Sequence, residues 1–136
     1  MSFELRDHTA DVAVEATGET LGGVFAATAD GMAGAMCETV PTTGDRFECA
    51  VTAERRDALL FDYLDELIYQ RDVRGVLPVD NRATVEKSGD DWSVDASARG
   101  VPLETISARE IKAVTYSEMV LETTEDGWHV YVVLDV

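Results

Sequence analysis

Two stretches of strict two-residue alternation, one near each end of the chain, constrain the fold most. Val12, Val14 and Ala16 alternate with Asp11, Ala13 and Glu15; Trp128, Val130, Val132 and Leu134 alternate with His129, Tyr131, Val133 and Asp135. Successive side chains of a strand point to opposite faces, so each stretch predicts a strand with one consistently apolar side. Such strands need a layer to cover that side. The chain between them supplies it.

After Gly18, Thr20 is placed to cap a helix, and Leu21, Val24, Phe25, Met32, Ala35 and Met36 follow at three- and four-residue spacing. Gly22, Gly23, Gly31 and Gly34 each weaken that helix by about 1 kcal/mol relative to Ala, so docking must stabilise it. Their small size suits close approach to a sheet. Pro41 to Gly44 reads as a loop, and Phe47, Cys49, Val51 and Ala53 as a half-buried strand. A second helix is predicted from Glu54 to Arg71, burying Leu60, Tyr63, Leu64, Leu67 and Ile68 and presenting Asp57, Asp62, Asp65 and Glu66 outward. Asn81 to Lys87 and Trp92 to Arg99 flank a hairpin turn at Ser88 to Asp91. Gly100 to Leu103 breaks the pattern, Glu110 to Tyr116 and Met119 to Glu122 are strands around Ser117, and Glu125-Asp126-Gly127 turns into the last strand. The expectation is one α+β domain over residues 1–136, with two helices packed on a mostly antiparallel β-sheet.

Charge narrows the function classes. Twenty-seven acids against eleven bases leave −16, with Lys87 and Lys112 the only lysines. This surface repels phosphate backbones, so direct nucleic-acid contact through a basic patch is not expected. The acids are dispersed, as in proteins solvated at high salt, and an acidic cluster alone does not mark a metal site. No run approaches the roughly 18 apolar residues of a membrane span, and the N-terminus lacks a basic region followed by an apolar stretch. A cytoplasmic protein without membrane contact is expected. Cys37 and Cys49 have no CxxC or ligand-like spacing and read as small buried hydrophobes.

Three stretches carry polar residues that a core does not need: His8 to Asp11, Lys112 to Tyr116, and Asp135-Val136. Asp7-His8-Thr9-Ala10-Asp11 gathers acid and imidazole groups at the mouth of a strand, a pattern that also serves local turn hydrogen bonds. At the other end the side-chain carboxylate of Asp135 lies beside the α-carboxylate of Val136. Two like charges this close repel, and a hard divalent cation relieves the repulsion; a solvated terminus is the alternative reading. Two carboxylates, Asp11 and Asp135, also suit a metal-dependent hydrolase. GxSxG, P-loop, GxGxxG and HExxH motifs are absent.

Taken together, His8-Thr9-Ala10-Asp11-Val12 followed by Thr20-Leu21 and Phe25, Leu59-Leu60 through Leu64, Glu66-Leu67 and Tyr69, the run Ile111-Lys112-Ala113-Val114-Thr115-Tyr116, and the final Asp135-Val136 resemble the archease family over almost the whole chain. The resemblance implies a non-enzymatic accessory protein of the RtcB-type tRNA-splicing ligase, promoting its guanylylation and multiple turnover in tRNA splicing and RNA repair. It implies a Ca²⁺-like divalent cation (Mg²⁺ and Mn²⁺ being alternatives) held by Asp11, Asp135 and Val136, with His8 and Lys112 serving ligase activation. The family usually has His after the Thr-Tyr pair, where this chain has Ser117, and Tyr63 and Asp65 replace its common Trp and Asn. A general protein-folding chaperone is a further alternative function.

Overall fold

A computed structural model describes residues 11–136 and the backbone of residues 2–5. His8 and its neighbours in the first motif lie outside the described residues. The chain order is β1 (Ser2–Leu5), β2 (Val12–Gly18), α1 (Leu21–Met36), β3 (Asp45–Ala53), α2 (Arg56–Arg74), β4 (Val76–Ser88), β5 (Asp91–Pro102), a 3-10 turn at Leu103–Thr105, β6 (Ala113–Thr124) and β7 (Gly127–Asp135).

The fold is α+β, with two helices on antiparallel strands. The strands divide into two sheets, one of order β1-β2-β7-β6 and one of order β3-β5-β4, and every pairing is antiparallel. Alternation fixes which face of a strand is buried but not which strand lies beside it, so this division is a finding of the structure. The first and last alternating stretches are direct neighbours, with Val14 opposite Val132 and Ala16 opposite Val130. Their apolar faces meet Val24, Phe25, Met32, Leu60, Tyr63, Leu64 and Leu67 of the helices in one continuous core.

Both helices end as their sequences dictate. The Thr20 hydroxyl accepts the Gly23 N–H at 2.9 Å, answering one of the unpaired donors of the first turn. Gly22 faces β4 so closely that an added Cβ would sit 2.4 Å from the Ala83 carbonyl oxygen; the small residues of α1 thus exchange helix propensity for a tight helix–sheet contact. Asp30 of α1 accepts both the backbone N–H (2.9 Å) and the side-chain amide (2.8 Å) of Asn81, tying the helix to the irregularity in β4 between Val79 and Arg82. Helix α2 runs three residues beyond the expected Arg71 and stops at Gly75, whose φ of 66° is the left-handed cap that glycine adopts without strain.

Strand β6 differs most from expectation. Glu110 to Lys112 are irregular, and the two predicted strands are one, with a register shift between Thr115 and Val120. Glu118 takes a φ of 66° within this bulge. Extra residues on one strand leave a paired ladder intact on either side while kinking it. Cys37 is buried, Cys49 is half-buried, and both thiols are free.

Candidate functional site

Strand order brings Asp11, Lys112 and Asp135, one residue from each of the three polar stretches, toward one end of the four-stranded sheet. Val12 pairs with Leu134 as the last pair of the β2–β7 ladder, and Asp11 and Asp135 are the residues next to that pair on the two strands' outer side. Directly opposed residues of antiparallel strands lie about 4.5–5.5 Å apart at Cα. On the other side of β7, Ala113 pairs with Asp135, and the Lys112 N–H donates to the Asp135 carbonyl at 2.8 Å. That bond places Lys112 beside the Asp135-Val136 step. Asp135 and Lys112 are exposed; Asp11 and Val136 are half-buried.

The surroundings hold these groups firmly. Val12, Leu134 and Ile111, each next in sequence to one of them, are completely buried, and Val114 is 5% exposed. An acid on each of two paired strands, flanked by core residues, has little freedom to move away from its neighbour. Oxygen donors in this arrangement suit a hard cation such as Ca²⁺ or Mg²⁺ more than Zn²⁺, which favours nitrogen and sulfur. Among the described residues, no three His, Cys, Asp or Glu side chains form a metal-holding group. Ser117, at the position of the family's usual histidine, is exposed in the β6 bulge, where its carbonyl accepts the Thr115 hydroxyl at 3.3 Å.

The remaining histidine belongs to a different arrangement. His129 on β7 pairs directly with Glu122 on β6, while Glu15 on β2 pairs with Tyr131 and so lies diagonal to His129. Nε2 of His129 lies 2.9 Å from Glu15 and Nδ1 lies 3.0 Å from Glu122. The hydrogen bond with Glu15, opposed by partial burial and aided by Glu122, raises the His129 pKa above its ordinary value. Both ring nitrogens are occupied, so this cluster is an ion-pair ladder across three strands. Its members all sit at polar positions of alternating strands; the strand order is what unites them.

Two arginines also take roles that charge counting hides. Arg71, at the α2 C-terminus, is only 5% exposed. Its Nε donates to Asp72 at 3.0 Å and its Nη1 to the Met36 sulfur at 3.4 Å. The spacing Leu60, Leu64, Leu67, Arg71 does carry it onto the buried face. At the far end of the four-stranded sheet, the Arg56 guanidinium lies between the chain's two tryptophans, 5.5 Å from the Trp92 ring and 5.2 Å from the Trp128 ring.

The profile of the Archease protein family (MTH1598/TM1083) matches residues 3–136. The protein archease of Methanosarcina barkeri is 34% identical over 98% of this chain and 95% of its own; that of Thermococcus gammatolerans is 33% identical over 92% and 91%. The solution structure of Methanobacterium thermoautotrophicum protein 1598 superposes with a TM-score of 0.83 at 28% identity, covering 98% of each chain. The fold is also that of a Thermotoga maritima archease described as a possible chaperone, with a TM-score of 0.64 at 22% identity over 98% of this chain and 96% of that one. None of the described helices is long and apolar enough to cross a membrane. The chain belongs to the archease family.

Proposed function

We propose that this protein is a non-enzymatic accessory factor of an RtcB-type RNA ligase, acting in the cytoplasm on tRNA splicing and RNA repair. The observation that carries the reading is the convergence of Asp11, Asp135 and Lys112 at one end of the β2-β7-β6 ladder. In this proposal Asp11, Asp135 and the α-carboxylate of Val136 bind one divalent cation, Ca²⁺ or a similar hard ion, through oxygen. Lys112 contributes the compensating positive charge next to them, where it holds the acidic groups together or meets an anionic group of the ligase complex. His8 belongs to the same functional set.

A protein of net charge −16 is poorly suited to grip RNA itself. It is well suited to approach a ligase whose active site is basic enough to hold RNA and nucleotide, and such complementarity sets orientation and encounter rate. The cation then enters the ligase site bound to a rigid sheet end. The test is the extent of ligase guanylylation and the number of RNA joining cycles, measured with and without this protein. An increase in both is expected; no change in either at any salt concentration rejects the reading. Hydrolysis of phosphoesters by the protein alone would favour the metal-dependent hydrolase instead, and protection of unrelated client proteins would favour a general chaperone.

A further inference from the structure

We propose that the cavity walled by Arg71, Arg109, Met36, Leu103 and Ala108 binds a carboxylate carried on a short apolar stem. The cavity, about 210 Å³, lies where the C-terminal ends of α1 and α2 meet the chain that leads into β6. Burying a guanidinium is costly unless its donors are answered. Arg71 offers five N–H groups. One oxygen of Asp72 lies 3.0 Å from both Nε and Nη2, and the Met36 sulfur meets Nη1. Nε and Nη1 thus each make one hydrogen bond and Nη2 an ion pair, fewer strong partners than the five N–H groups can take. The thioether is a weak acceptor, and the Asp72 side chain is 64% exposed, so water dilutes its attraction. The cavity is lined by this incompletely matched cation and by a second arginine, Arg109.

Size and charge choose the ligand. Met36, Leu103 and Ala108 supply apolar wall for a few methylene or methyl groups, while the two arginines suit a planar oxyanion. Asp72 and Glu110 also line the cavity. Their charge disfavours a dianion more than a monoanion, which selects carboxylate over phosphate. The carboxylate can arrive on a free small acid or on the last residue of a peptide. The wall is held in place: the Arg109 N–H donates to the Met36 carbonyl at 2.7 Å, fixing the entering chain across the end of α1. The pocket includes neither Asp11 nor Asp135, so it stands or falls apart from the cation site.

Met36 provides a local reporter. Methyl-labelled methionine spectra of the full chain are recorded while adding butyrate, N-acetylleucine or inorganic phosphate. The Met36 resonance should shift saturably with either carboxylate, while those of Met32 and Met119 stay in place. Arg109→Ala should weaken the binding about tenfold or more, the loss of a charge-assisted hydrogen bond, with Arg109→Lys in between. Tighter binding of N-acetylleucine identifies a peptide end as the source, and tighter binding of butyrate a free acid. A shift that never saturates, an unaltered affinity in Arg109→Ala, or tighter binding of phosphate than of either carboxylate would overturn the proposal. Arg109 is exposed, so its replacement tests the pocket without removing the buried Arg71.

Discussion

The two ends of β7 solve opposite electrostatic problems. At its Trp128 end, the Arg56 cation rests against two indole faces, and Lys87 lies 5.6 Å from the Trp92 ring. Each such contact is worth about 0.5–1 kcal/mol at exposed sites, so positive charge there is met by the protein's own aromatic rings. At its Asp135 end, two carboxylates come together on neighbouring strands, with Lys112 alongside. Seven residue steps of strand, roughly 23 Å at 3.3 Å per residue, separate Trp128 from Asp135. One end holds cations against aromatic rings; the other carries two acids and a lysine, and it is there that the proposed cation site lies. The proposed function uses the acidic end, and the contrast between the ends makes that proposal testable.

The largest effects should come from the acidic end. Asp11→Ala and Asp135→Ala should each reduce ligase stimulation about tenfold or more, in line with losing a metal ligand, while leaving the melting profile native. Ligase assays paired with thermal melts check both halves of this expectation. Lys112→Ala should likewise lower stimulation without unfolding the protein, and full stimulation by that variant would remove Lys112 from the site. Appending residues after Val136 should weaken Ca²⁺ binding by calorimetry, because the third anionic donor is moved away; unchanged affinity would count against its participation.

At the Trp128 end the effect should be on stability alone. Arg56→Ala should cost about 1–2 kcal/mol through its two ring contacts, read as a lower denaturant midpoint, with ligase stimulation retained. The smallest effect concerns His129, between the ends. Its folded pKa is raised above the unfolded value of 6.5, so protonation favours the folded state. The contribution is fully present below about pH 6.5 and is lost as pH rises through the raised folded value. It should amount to less than about 1 kcal/mol because both glutamates are more than half exposed. His129→Gln should flatten this part of the stability–pH curve; an unchanged slope would show that the ladder contributes nothing.

Local physics made much of the fold legible in advance. The alternation of Val12 to Ala16 and Trp128 to Leu134, the Thr20 cap and the apolar stripes of α1 and α2 are each written within a short window of residues. Strand partners are not. The pairing of Val12 with Leu134 joins positions at opposite ends of the chain, so the chemistry of Asp11 and Asp135 suggests a shared site but local sequence does not bring them together. The separation into two sheets was hidden for the same reason, as was the Glu15–His129–Glu122 ladder. The bulge in β6 lacks the usual mark, because Glu118 and not glycine takes its positive φ. Arg71 was a different kind of omission. Its helical position signalled burial, but its charge argued for solvent, and the local neighbours Asp72 and Met36 decided otherwise.

The most direct measurement compares the two ends in a single assay: multiple-turnover RNA joining by the cognate ligase, supplemented with wild-type protein, Asp135→Ala or Arg56→Ala. The account predicts that wild-type and Arg56→Ala proteins raise the turnover number alike, and that Asp135→Ala, although folded, does not. Stimulation retained by Asp135→Ala and lost by a folded Arg56→Ala would place the functional end at the opposite side of the sheet and contradict it.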